Sequence, residues 1–151
     1  MFILEEIFIV SAVAIAIGWS FHGWSESFMT RLKKLARNSM ENPYQWTIAK
    51  MDQNTKTMTS ISHGFLTAPF ILLGGYFGDW LGIIFAVFYI AASRLFFFET
   101  FYGYFIARQF TYIGTGGRIV PYLVKVLTPS GFHLVKFALW VASLICVISL
   151  V

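Results

Sequence analysis

Apolar positions run in long unbroken stretches, and charged residues mark where they stop. Between Glu6 and Glu26 every residue is uncharged, "IFIVSAVAIAIGWSFHGWS". A second such stretch lies between Lys56 and Asp79, "TMTSISHGFLTAPFILLGGYFG". A third begins at Trp80, "WLGIIFAVFYIAAS", and continues past Arg94 into "LFFF". The last, "FHLVKFALWVASLICVISLV", holds only Lys136, near its start. A helix of roughly 20 mostly apolar residues crosses a bilayer. The pattern therefore predicts an all-α integral membrane protein, one domain over 1–151, with four transmembrane helices near 6–25, 59–78, 80–105 and 132–151. The turn between the second and third, "GGYFGDW", is so short that these two must form an antiparallel hairpin, and an antiparallel bundle follows.

The two long connections, 26–58 and 106–131, are not plain linkers. In "ESFMTRLKKLARNSMEN", Phe28, Leu32, Leu35 and Met40 recur near helical spacing among basic residues. This reads as the first span continuing into the headgroup region or as an amphipathic surface helix, ended by Pro43. "KMDQNTKTMTS" is polar and can start the second span outside the bilayer. In the other connection the glycines of "GTGGR" and Pro121 and Pro129 break helix, and "IVPYLVKVL" suits the membrane interface.

The charges then orient the chain. Arg31, Lys33, Lys34, Arg37, Lys50 and Lys56 fall in the first connection. Arg94, Arg108, Arg118, Lys125 and Lys136 fall at the end of the third span, in the second connection or at the start of the fourth span. The opposite side carries only Glu5, Glu6 and Asp79. Basic residues stay on the cytoplasmic side, so both connections are expected there and both termini outside. "MFILEE" lacks the basic start of a cleavable signal, so the first span is expected to be retained.

Composition agrees. Of 151 residues, 58% are hydrophobic and 12% charged, where soluble chains carry about 25% charge. The formal net charge of +4 is explained by the orientation bias, and no nucleic-acid partner is implied. The single Cys146 forms no internal disulfide framework.

Candidate chemistry centres on "SRLFFFETFYGYFIAR" (93–108), where Arg94, Glu99 and Arg108 interrupt an aromatic run. Arg94 lies about 21 Å into a span that starts at Trp80, within snorkelling reach of the cytoplasmic face. Alternatively Arg94 and Glu99 face the bundle interior, where ionisable groups line cavities or pair. They are five residues apart, a poor spacing for a pair on one helix, so partners on another helix or subunit are expected. Glu99, Tyr102 and Arg108 could share a face toward a cytoplasmic mouth suited to an anion. His22, His63 and His133 sit near the cytoplasmic side without ligand spacing or an acidic cluster. They read as interfacial residues, and no metal or haem is predicted. "GTGGR" lacks the strand, helix and Lys-Ser/Thr pair of a phosphate loop.

The layout resembles the MAPEG family, the membrane-associated proteins in eicosanoid and glutathione metabolism. The length, four spans, outside termini, basic first connection and tight hairpin are similar to it. So are "TAPFILL" in span 2, "YIAASRLFFF" at the end of span 3, and the following "YGYFIAR". The resemblance implies a homotrimer with sites between protomers that open to the cytoplasm. It also implies a lipophilic ligand, with glutathione as co-substrate. It would make Tyr104 and Arg108 catalytic, and Arg94 and Tyr102 ligand-binding; Glu99, from the face it was read on, and His63, at the position of the family's Asn in span 2, are expected to be ligand-binding beside them. Arginines would stabilise a thiolate by charge and hydrogen bonds. The residues themselves leave open whether there is a reaction. The other expectation is a non-catalytic accessory subunit of a larger respiratory, photosynthetic or transport complex, which the 19% aromatic content also suits.

Overall fold

The computed structural model describes residues 2–38, 45–108 and 120–151. Among these the chain is helical almost throughout, with no strand. The elements are α1 (Phe2–Asn38), α2 (Gln45–Ser93), a π-helical turn (Arg94–Phe98), α3 (Glu99–Ala107) and α4 (Val120–Ile148). Pro43, the glycine-rich stretch 114–117 and Arg118 lie outside the described residues.

α2 folds back on itself. Gly78 (φ −144°, ψ 23°) and Asp79 (φ 49°, ψ −136°) leave helical geometry, which splits the element into arms 45–77 and 80–93. The Phe70 and Tyr89 rings then lie 5.6 Å apart, although a straight helix would separate them by about 28 Å. Small residues let the arms close. A Cβ built on Gly74 would stand 2.7 Å from the Gly82 carbonyl oxygen, and one on Gly82 would run into the Gly74 carbonyl. The sequence expectation of a tight hairpin is thus met at the expected residues.

Four helical arms pack antiparallel in succession. Along α1 and the first arm of α2, Phe8 stacks on Phe70 (4.8 Å), Trp19 meets His63 (4.1 Å), and Lys33 reaches Asp52 (2.5 Å). The second arm and the π-helical turn run against the C-terminal segment, with Gly78 at the hinge beside Leu150 at one end and Phe97 in the turn beside Trp140 of α4 at the other. The core draws on all four arms, with Phe8, Ala12, Ile15, Phe70, Ala86, Tyr89 and Val147 buried together. At its centre the Tyr89 hydroxyl donates to the Ala12 carbonyl (2.9 Å), so this buried polar group is satisfied. Other hydroxyls in the apolar stretches return to their own helix, as Ser11 does to Ile7 (2.7 Å) and Thr67 to His63 (2.7 Å).

Most apolar surface nevertheless points outward. The helices Ile3–Leu35, Thr47–Ala107 and Lys125–Ile148 are long and apolar enough to cross a membrane, yet only 17%, 28% and 22% of their most apolar windows are buried. In water that surface would be a large unpartnered apolar patch; in lipid it is ordinary.

Two features bear on the expected connections and boundaries. α1 and the first arm of α2 continue well past their apolar stretches, to Asn38 and from Gln45, so the first connection is mostly helical hairpin. The final helix is interrupted earlier than the boundary at residue 132 suggests. Thr128 (φ 57°, ψ 161°) breaks α4 before Pro129, and its hydroxyl accepts from the Gly131 N–H (3.3 Å) as a cap for 129–148.

Candidate functional site

The site forms where the π-helical turn faces α1 and the first arm of α2. A π turn accommodates one extra residue, so the residues beyond it are rotated by about 100° relative to a regular helix. That rotation carries α3 as a whole to new neighbours, and its residues meet different helices. Glu99 points to α4, where its carboxylate pairs with the Lys136 ammonium. Tyr102 turns to α1, with its hydroxyl 3.4 Å from Thr30 and its ring stacked on Phe98. Arg108 ends α3 in a left-handed conformation (φ 57°), its guanidinium 5.8 Å from the Tyr104 ring. The expected common face of Glu99, Tyr102 and Arg108 therefore does not form.

Gly23 makes the packing possible. A Cβ there would lie 2.5 Å from the Phe98 carbonyl oxygen and 3.1 Å from the Tyr102 nitrogen, so α1 rests directly on the backbone of the turn. This close approach brings Arg94 to Trp19, with the guanidinium 5.7 Å from the indole ring. Among the described residues no carboxylate pairs with Arg94.

Arg94 shares an open crevice of about 350 Å3 with Trp19, His22, Thr59, Ser60 and His63. The two histidine rings lie 5.3 Å apart, edge to face. His22 also packs on Phe98 at 5.0 Å. One nitrogen of His63, Nδ1, is 2.7 Å from the Thr59 carbonyl. A carbonyl only accepts, so Nδ1 carries the proton and Nε2 presents a lone pair in the neutral ring. His63 Nε2, His22 Nδ1 and Trp19 Nε1 are all buried without a hydrogen-bond partner among the described residues. Three such nitrogens in one cluster are unusual, because buried polar groups are normally paired. On their other side His22, Thr59 and His63 border a larger crevice of about 500 Å3. Phe21, Trp24, Met58 and Leu66 give it apolar walls.

Of the residues singled out from sequence, Arg94 and His63 come together; Tyr104 and Arg108 form a separate pair; Glu99 belongs to an ion pair. His133 lies apart from the other histidines, against Phe96 (5.3 Å). Sequence reasoning did not single out Trp19, His22 as a partner of His63, or Lys136. For Lys136 the signal was there: one cation in an otherwise apolar span, facing a span with one anion. For the histidines it was not, since their meeting depends on the register between two helices.

No family model, curated protein or solved structure matches the chain.

Proposed function

We propose that the chain is a four-span membrane protein with both termini on the non-cytoplasmic side. At the cytoplasmic end of its bundle it binds a lipophilic anion. The distribution of basic residues supports the orientation, and the four packed arms supply enough helices. Residues 19–22, 59–63 and 94 lie toward the cytoplasmic ends of spans 6–25, 59–78 and 80–105.

The observation that carries the binding reading is Arg94. Its guanidinium stays charged at all ordinary pH values and has no carboxylate partner among the described residues. It stands beside three buried nitrogens that lack hydrogen-bond partners there. An anionic headgroup would pair with Arg94 and accept from the Trp19 N–H. The neighbouring apolar walls at Phe21, Trp24, Met58 and Leu66 suit an alkyl or aryl tail. This agrees with the MAPEG resemblance in the class of ligand. Conjugation to glutathione would use Tyr104 and Arg108, and these do not line either crevice. Binding is therefore proposed without catalysis, in a homo-oligomer of the trimeric kind that the resemblance implies.

The test is calorimetric titration of the protein in nanodiscs with octanesulfonate, octanol and glutathione, against empty nanodiscs. Octanesulfonate should bind and octanol should not, and Arg94→Gln should weaken the sulfonate by about tenfold or more, as expected for loss of a charge-assisted hydrogen bond. Failure of octanesulfonate to bind at any pH would sink the reading. Glutathione binding that is lost in Arg108→Ala would move it to the conjugating alternative.

A further inference from the structure

We infer that the anion site, on the reading just proposed, takes up a proton with its ligand, and that His63 is the group that receives it. The geometry sets this up in three steps. First, the Thr59 carbonyl holds the proton of His63 on Nδ1, leaving the Nε2 lone pair in the buried cluster with no donor to meet it among the described residues. A sulfonate, carboxylate or phosphate oxygen carries lone pairs of its own and is repelled there unless Nε2 is protonated. Second, the imidazolium form of His63 is already provided for: Nδ1–H keeps the Thr59 carbonyl as acceptor at 2.7 Å, and Nε2–H would donate to the ligand. Third, Arg94 lines the same crevice as His63. An anion seated between them is attracted to the guanidinium and to an imidazolium alike.

Among the described residues, the groups that bear on His63 are few. α1 contributes His22, whose ring is 5.3 Å away, and Trp19, at 4.1 Å. The π-helical turn contributes Arg94, and α2 itself contributes Thr59 and Ser60. The described part of α4 contributes no residue to either crevice. None of the described carboxylates lines the smaller crevice, so the charge that lets His63 protonate has to come with the ligand. Histidine is the side chain that changes charge between pH 5 and 8, which puts the coupling in a range a cell can use. Net transfer is then one anion and one proton together, and the site's charge is the same before and after binding.

Octanesulfonate is the probe, because its own charge does not change between pH 5.5 and 8.5. Its affinity for the wild-type protein should rise as pH falls, at most about tenfold per unit, the limit for one linked proton. Titrations in two buffers of different ionisation heat should report net proton uptake with the sulfonate within this range. In His63→Gln, whatever binding remains should show neither uptake nor pH dependence. Binding with no uptake by the wild-type protein would overturn this inference and leave the binding reading standing. Uptake that persists in His63→Gln would overturn the assignment to His63. Imidazole 15N spectra of the wild-type protein give a second readout that needs no variant. The His63 signals should move to imidazolium positions when the sulfonate is added, and unchanged signals would sink the idea.

Discussion

The Lys136–Glu99 pair shows most clearly what one residue does in this molecule. Lys136 is 1% exposed, with its ammonium against the Glu99 carboxylate and 4.9 Å from the Phe132 ring centre. A lysine this deep in an apolar helix is tolerable only because it is paired and lies over an aromatic face. The pair ties α3 to α4. Breaking it on one side leaves a charge with nothing to meet it, and replacing both sides removes the problem. Lys136→Met alone should destabilise the protein by about 3 kcal/mol, and Glu99→Gln/Lys136→Met should recover most of that. Unfolding midpoints of the three forms in detergent check this. A double variant no better than the single would mean the pair is not the source of the loss.

Among elements, the helical hairpin formed by α1 and the first arm of α2 is closed at its polar end by a three-residue clamp. Asp52 Oδ2 accepts from Lys33 at 2.5 Å and stands 3.1 Å from the Lys56 ammonium. Burial pushes the Asp52 carboxyl up, but the hydrogen bonds and charges of Lys33 and Lys56 outweigh it and hold it below the usual carboxylate range. The hydrogen bond to Asp52, its charge, and the charge of Glu26 push Lys56 above the ordinary lysine range. A depressed carboxyl contributes above its unfolded value, about pH 4, and its contribution is lost as pH falls through the folded value. A raised lysine contributes below its unfolded value, about pH 10, and is lost as pH rises through the folded one. The clamp is therefore closed between these limits. Both lysines are half exposed, so the whole gain is about 1 kcal/mol or less after solvent screening. Asp52→Asn should speed amide hydrogen exchange in 26–35 and 47–58 without changing it near Phe70 and Tyr89. As pH is lowered from 4 through the depressed Asp52 value, the wild-type protein should come to show the same local pattern once intrinsic rates are corrected.

For the whole molecule, the decisive question is orientation. If the four arms cross the bilayer as proposed, the hairpin end at Lys50 and the two chain ends lie on opposite sides. With Cys146→Ser as background, Lys50→Cys should react with an impermeant maleimide only after intact cells are permeabilised. Ile3→Cys and Val151→Cys should react without permeabilisation. Labelling of all three from one side would dismantle the four-span arrangement, and with it the placement of the anion site.

Much of this architecture was legible in the chain because it obeys local rules. Uninterrupted apolar stretches of bilayer length can only be helices in lipid, since each backbone N–H and C=O must be satisfied within its own segment. Gly74, Gly75 and Gly78 beside Asp79 could only be a turn, and the partner of Glu99 had to be sought on another helix. The site depends on quantities that no local rule carries. The π-helical turn at Arg94–Phe98 rotates α3 as a whole relative to the second arm of α2, so the neighbours that Glu99 and Tyr102 meet could not be counted from Trp80 along a regular helix. The His22–His63 contact is set by how far α1 slides along α2, and that register is decided by Phe8 on Phe70, well away from either histidine, together with Gly23 against Phe98 beside His22. Helix and membrane class were determined by sequence alone, because hydrogen bonding in an apolar medium leaves one solution. The meeting of Arg94, Trp19, His22 and His63 was decided only by tertiary packing, because rotation and register between helices come from side-chain fit over the whole interface.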